Sequence, residues 1–255
     1  MSAHAAHSAY PRLAFDAQSR LLRNVVKRCA HRSSEPTPVI VFDLDGTLID
    51  NRPRTCAIVR EFAETLRTRE PAVAEALSLA RPDHLAYLLS DSMAALGVHR
   101  DDLVVELQTF WRDRFFSDPH LVHDVALPGA VRFAHDCYDA GAILIYLTGR
   151  DLPLMGTGSF GSLRDLGFPI GLPGTELVLK PDATMADEAY KRLEAPKLAR
   201  VGRVVAAFDN EPGNCNVFRA HFPDADSVFV DTQHMPGAPP LAVDVSVIVD
   251  FSSES

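Results

Sequence analysis

The stretch that most restricts how this chain can fold is Pro38–Asp50, PVIVFDLDGTLID. Val39–Phe42 is an unbroken apolar run of β-branched and aromatic residues. That pattern predicts a strand buried on both faces, as in a parallel sheet. The run stops at Asp43, and Asp45 follows after one residue. Gly46 then frees the backbone for a turn, and Thr47 offers a hydroxyl. A carboxylate can simply end a strand. Two of them at the end of a buried strand also place a reactive cluster at its C-terminal edge, where open α/β sheets bind ligands.

The rest of the chain repeats the pattern. Ala142–Leu147 (AILIYL) predicts a second buried strand, ended by Thr148–Gly149–Arg150. Glu176–Leu179 predicts a third, running into Lys180. Val204–Phe208 predicts a fourth, ending in Asp209, and Ser227–Val230 a fifth, with Val243–Val249 one more at the edge. Between them lie helical patterns: one around Val131–Tyr138 closed by Gly141, a short one near Ser159–Leu166, one over Asp187–Leu198 failing at Pro196, and one from Pro212 to about His221. Strands alternating with helices imply an α/β fold with a doubly wound, Rossmann-like parallel sheet. Its strand ends would gather Asp43, Thr148, Lys180 and Asp209 on one edge.

Residues 52–123 have another texture. Three apolar stripes at helical spacing (Ile58, Val59, Phe62, Leu66; Leu85, Leu88, Leu89, Met93, Leu96; Leu103, Leu107, Trp111, Phe115) predict a small helical unit inserted in the sheet domain. Asp101 or Asp102 is the expected N-cap of its last helix. Phe110, Trp111, Phe115 and Phe116 are expected to pack its core, with a substrate pocket as the alternative. His120 and His123 read as loop residues. The expected organisation is a tail and helix over 1–37, a core of 38–51 plus 124–255, and the helical unit between. His4 and His7 belong to the loose tail. The basic helix over 12–32 is expected to pack on the body, with docking to an acidic partner as the other reading.

Composition narrows the function. A net charge of −9 argues against broad nucleic-acid binding, which needs a basic face. Four cysteines lie far apart with no CxxC pair, so reduced core thiols are expected, not a zinc site. No apolar run near the middle could span a bilayer, and the N-terminus lacks the apolar block of a signal peptide. A cytoplasmic monomer or homodimer without membrane contact is the expectation. No glycine-rich nucleotide signature occurs, so no nucleotide cofactor is indicated.

Carboxylates clustered around one point repel one another, and a hard cation with oxygen ligands, Mg2+ above all, resolves the conflict. An aspartate carboxylate can attack phosphorus, and a second carboxyl group can exchange protons with the leaving oxygen and with water. A threonine and a lysine would stabilise the developing charge.

The order DLDGTL (43–48), LTGR (147–150), a lysine and FDNEP (208–212) resembles the haloacid dehalogenase superfamily of hydrolases. The resemblance covers nearly all of 38–235. It implies a Rossmann-like core with the first strand central and a helical cap formed by 52–123. It also implies Asp43 as nucleophile and Asp45 as general acid/base, with Asp43, the Asp45 main-chain carbonyl and Asp209 ligating Mg2+. Thr148 would bind the phosphoryl group, with Gly149, Arg150 and Lys180 on the substrate side. Lys191 is preferred to Lys180 as the motif lysine, because helix N-terminal halves on this edge point at the phosphate. The fourth motif departs from the pattern. Asn210, Glu211 and Asn214 stand where a second aspartate is usual, and could ligate the metal or cap a helix. The implied activity is hydrolysis of a small phosphomonoester. Dehalogenation, phosphosugar mutation and a non-catalytic phosphate-binding role are the alternatives.

Overall fold

The computed structural model describes residues 10–30 and 35–254. His4, His7 and Arg32 lie outside the described residues. In chain order the elements are α1 (Phe15–Arg28), β1 (Pro38–Phe42), β2 (Ile49–Asp50), α2 (Arg52–Leu66), α3 (Pro71–Ser78), α4 (Leu89–Ala95), α5 (Asp101–Phe115), β3 (Val125–Ala126), α6 (Ala130–Asp139), β4 (Ile143–Asp151), α7 (Leu152–Asp165), β5 (Thr175–Lys180), α8 (Asp187–Leu198), β6 (Arg203–Asp209), α9 (Pro212–His221), β7 (Asp226–Val230) and β8 (Ser246–Ile248). Short 3-10 turns occupy Pro82–His84 and Asp118–His123.

Six strands form one parallel sheet in the order β5-β4-β1-β6-β7-β8. The apolar run of β1 sits at its centre, and all five of its residues are buried. Because side chains alternate along a strand, β1 supplies two cores at once. Ile40 and Phe42 pack with Leu22 and Val25 of α1 and Phe133 and Cys137 of α6. Val39 and Val41 pack with Tyr190 and Leu198 of α8 and Val217 and Phe218 of α9. The expected doubly wound α/β sheet is therefore the one observed.

Residues 52–123 leave and re-enter the sheet domain through β2 and β3, which pair antiparallel. The predicted stripes form a separate core there, with Phe62, Leu66, Leu77, Met93, Leu103 and Leu107 buried together.

Several local expectations change. The short helix near Ser159–Leu166 starts at Leu152, because the Asp151 side chain caps it by accepting from Leu154 N at 3.0 Å. Pro196 does not stop α8. The carbonyl it leaves without its helical donor belongs to Arg192, an exposed residue, so the helix continues through the proline. Asp101 and Asp102 lie in the first turn of α5, after Arg100 at the cap position, where their charge still favours the helix N-terminus. His120 and His123 belong to a 3-10 turn. Bases of the 12–32 stretch meet the chain's own acids: Arg12, just before α1, pairs with Asp231, and Arg28, at the end of α1, with Asp226. All four cysteines are buried and unpaired. Among the described residues, no helix is long and apolar enough to cross a membrane.

Candidate active site

Strand register brings the site together. Phe42 stands beside Phe208 on one side and Tyr146 on the other. Asp43, one residue on, donates its N–H to Phe208 O at 3.0 Å and lies next to the end of β6, where Asp209 stands. Thr148 and Arg150 belong to the last residues of β4. The turn after β1 needs Gly46 at φ +80°, and a Cβ there would collide with the Asn210 side chain.

Lys191 is the lysine that reaches the cluster. Its Nζ donates to Asp43 Oδ1 at 2.7 Å and Asp209 Oδ2 at 2.8 Å, and lies 3.2 Å from Asp187 Oδ2. Lys180 instead donates to Met185 O at 3.0 Å. Gly149 faces Asp187 so closely that a Cβ would collide with its carboxylate. The Thr47 hydroxyl lies 3.1 Å from Asp43 Oδ2 and 3.2 Å from Asn210 Oδ1.

One ammonium thus serves three carboxylates. Burial pushes Asp43 and Asp209 above the ordinary carboxylate value, against the pull of Lys191. Burial alone would lower Lys191, but Asp187, Asp209 and Asp43 outweigh it and hold the amine protonated.

Asp45 sits in a second, balanced cluster. Its carboxylate accepts from Arg150 Nε (2.7 Å) and Nη2 (2.9 Å) and from Arg54 Nη2 (2.5 Å). Burial would raise its pKa, but Arg150 and Arg54 outweigh that and keep it well below the usual range. Asp124 completes the cluster, accepting from Arg54 Nε (2.7 Å) and Nη2 (2.9 Å) and from Arg150 Nη2 (2.9 Å).

The residues fit a hard cation beside Asp43 and Asp209. The excess buried negative charge there needs a counter-charge. Asn214 Nδ2 donates to Asp187 and Asp209 (3.1 Å each), while its buried Oδ1 lacks a hydrogen-bond partner, as does Asp187 Oδ1. Among the described residues no three His, Cys, Asp or Glu side chains are arranged to hold a metal by themselves, so amide and main-chain oxygens would have to complete the set. The Asp45 carboxylate is committed to arginines, which leaves its main-chain carbonyl for that role. Asn210 and Glu211 are engaged elsewhere: Asn210 Nδ2 donates to Gln233 O at 2.6 Å, and Glu211 accepts from Met235 N at 3.1 Å. Burial pushes Glu211 up to about 7.

Sequence reasoning did not single out Arg54, Asp124 or Asp187. The spacing Asp187–Lys191 was readable as an i,i+4 pair. Nothing in the apolar pattern marks Arg54 or Asp124, which meet only when β2 pairs with β3.

The fold and its polar C-terminal edge define a Rossmann-like α/β protein with a carboxylate-rich site. No protein-family model matches the chain, and no curated protein matches it. It is similar to several proteins of known structure. A candidate phosphatase from Clostridium difficile is 16% identical, with 78% of this chain and 88% of that one covered and a TM-score of 0.49. A haloacid dehalogenase-like hydrolase from Bacteroides fragilis is 14% identical, with 83% and 96% covered and a TM-score of 0.46. Protein tyrosine kinase A of Mycobacterium tuberculosis is 16% identical, with 85% and 95% covered and a TM-score of 0.49.

Proposed function

We propose that this chain is a Mg2+-dependent phosphatase of the haloacid dehalogenase type, acting on a small phosphomonoester. The observation that carries the reading is Asp43: a carboxylate at the end of the central strand, bonded at 2.7 Å to a buried lysine it shares with Asp209. Asp43 attacks phosphorus, the bond to the leaving oxygen breaks, and that oxygen takes a proton from Asp45. Water then attacks the aspartyl-phosphate, gives its proton to Asp45 and releases phosphate, restoring Asp43. Thr148 and Lys191 stabilise the phosphoryl oxygens, with Gly149 leaving the approach open.

Asp43, Asp209, the Asp45 main-chain carbonyl and Asn214 Oδ1 would hold Mg2+, which would supply positive charge toward the phosphate. The arginines hold Asp45 as a carboxylate, the form that accepts a proton from water. The proton that Asp45 donates to the leaving oxygen is taken up from solvent at its exposed edge, the side chain being 25% exposed, while both arginines keep the group in place.

The test is hydrolysis of p-nitrophenyl phosphate with Mg2+ and with EDTA. Turnover that needs the metal and disappears in Asp43→Asn is expected. An unchanged rate in that variant would refute the reading.

A further inference from the structure

The geometry points to Arg54 and Asp124 as positioning residues for Asp45: set at the two ends of the helical segment, they and Arg150 lock its carboxylate in one orientation at the sheet edge. The inference rests on the reading of Asp45 as the group that exchanges a proton with the leaving oxygen.

Arg54 lies in the first turn of α2, just after β2, and Asp124 immediately precedes β3. The β2–β3 pairing brings these ends together. The side chains of Arg54 and Asp124 are fully buried and that of Arg150 is 1% exposed, whereas that of Asp45 is 25% exposed. Asp45 is therefore the member that faces the site, and the other three stand behind it.

The bonds are directional. Arg150 meets both Asp45 oxygens through Nε and Nη2, a two-point contact that fixes the carboxylate plane. Arg54 adds a third bond to Oδ1. Asp124 accepts from the same Nη2 groups of both arginines and from Arg54 Nε, so neither arginine can turn without losing it. Arg54 is further pinned by Nη1 donating to Phe115 O at 3.0 Å and by its guanidinium lying 4.2 Å above the Phe115 ring. Ser159 is the remaining neighbour of Arg150, 3.3 Å from Nη1.

Three buried charges and a partly exposed one are a poor way merely to fasten one segment to another, because apolar packing of the same volume is commonly as stable. What they provide is a fixed direction for Asp45. A lysine at 54 would supply charge without the planar fork that spans both carboxylates.

The experiment compares two probes. p-Nitrophenyl phosphate leaves as a stabilised phenolate and needs little protonation, whereas 2-glycerol phosphate leaves as an alkoxide and depends on a well-aimed acid. In Arg54→Gln and Asp124→Asn, kcat for 2-glycerol phosphate should fall about tenfold or more relative to p-nitrophenyl phosphate, with KM for both nearly unchanged, as expected when a general acid is misaligned. Arg54→Lys should not restore it. An equal loss on both probes, a rise in KM alone, or rescue by lysine would overturn the inference. Asp43→Asn separates the two levels. Turnover surviving there defeats the phosphatase reading itself, while its loss combined with an unchanged probe ratio defeats only the positioning role. The double variant Arg54→Gln/Asp124→Asn removes one charge of each sign and guards against misfolding of the singles. A crystal structure of Asp124→Asn is an independent check: the Asp45 carboxylate should leave its present plane, and an unmoved carboxylate would overturn the inference without any assay of turnover.

Discussion

Replacing Lys191 by methionine tests the charge balance on which the site reading depends. The side chain is 1% exposed, and its ammonium lies 2.7, 2.8 and 3.2 Å from Asp43, Asp209 and Asp187. Methionine keeps most of the volume and removes the only cation bonded to Asp43 among the described residues. Breaking a buried ion pair by removing one partner costs about 3–5 kcal/mol. Relief of the lysine's own desolvation argues for the lower end, about 3 kcal/mol, against a total stability of about 5–15 kcal/mol. With a urea m-value of about 3 kcal/mol/M, the midpoint falls by about 1 M. The loss should depend on pH. Asp43 and Asp209 already stand above the ordinary 3.8, and without the ammonium they rise further. A carboxyl group with a raised folded pKa contributes stability that is full below its unfolded value and disappears as pH rises through the folded one. The deficit of Lys191→Met should therefore be largest near pH 8 and shrink toward pH 5. Urea denaturation followed by circular dichroism at both pH values measures it. A deficit below about 1 kcal/mol at pH 8, or one that grows on acidification, would refute the charge argument.

Other consequences follow from single residues. Gly46→Ala forces a side chain into φ +80° and against Asn210, and should cost about 1–3 kcal/mol in a denaturation experiment. Leu107→Ala, deep in the helical segment's own core, should cost about 2–5 kcal/mol by the same measurement. Glu211, raised to about 7, contributes stability that is present below its ordinary 4.5 and lost as pH rises through about 7. Urea midpoints at pH 5 and pH 8 should accordingly fall more for the wild type than for Glu211→Gln. Inorganic phosphate should bind at least about tenfold tighter with Mg2+ than with EDTA by titration calorimetry, since each ligand offsets the other's charge, and equal affinities would contradict that coupling.

The sheet was legible because its signals are local. Uninterrupted runs such as Val39–Phe42 and Ala142–Leu147 have few alternatives to a strand buried on both faces, and the polar residues after them mark the strand ends. Lys191 was within reach for a similar reason, lying one helical turn after Asp187 near the start of α8. Helix limits were less legible. Gly156, Gly158 and Gly161 obscured α7, whose start depends on one cap at Asp151 and whose Gly158 is kept small by close packing against Asp118 and Leu121. The least legible residues were Arg54 and Asp124, 70 positions apart. Neither has a local pattern, because their role exists only once a two-residue strand pair closes the helical segment on itself.

The two charge clusters at the sheet edge explain why the same motif needs both a lysine and an arginine. Around Lys191, three carboxylates share one ammonium, leaving an excess of negative charge that disfavours an incoming phosphate until a cation joins it. Around Asp45, two guanidiniums meet two carboxylates, so the charges cancel. Under the proposed phosphatase reading, a neutral, directional lattice holds the proton-exchanging group without competing for the phosphate, whereas an under-neutralised pocket draws in the ligands that complete it. Merging them would defeat both purposes: arginines free to reach the carboxylates around Lys191 would satisfy Asp43 and blunt it in the nucleophilic role proposed for it, while a surplus carboxylate beside Asp45 would pull the guanidiniums out of plane. The strand register keeps them apart, since Asp43 and Asp45 follow one another on the chain but turn to different neighbours, β6 and α8 for the first, β4 and α2 for the second.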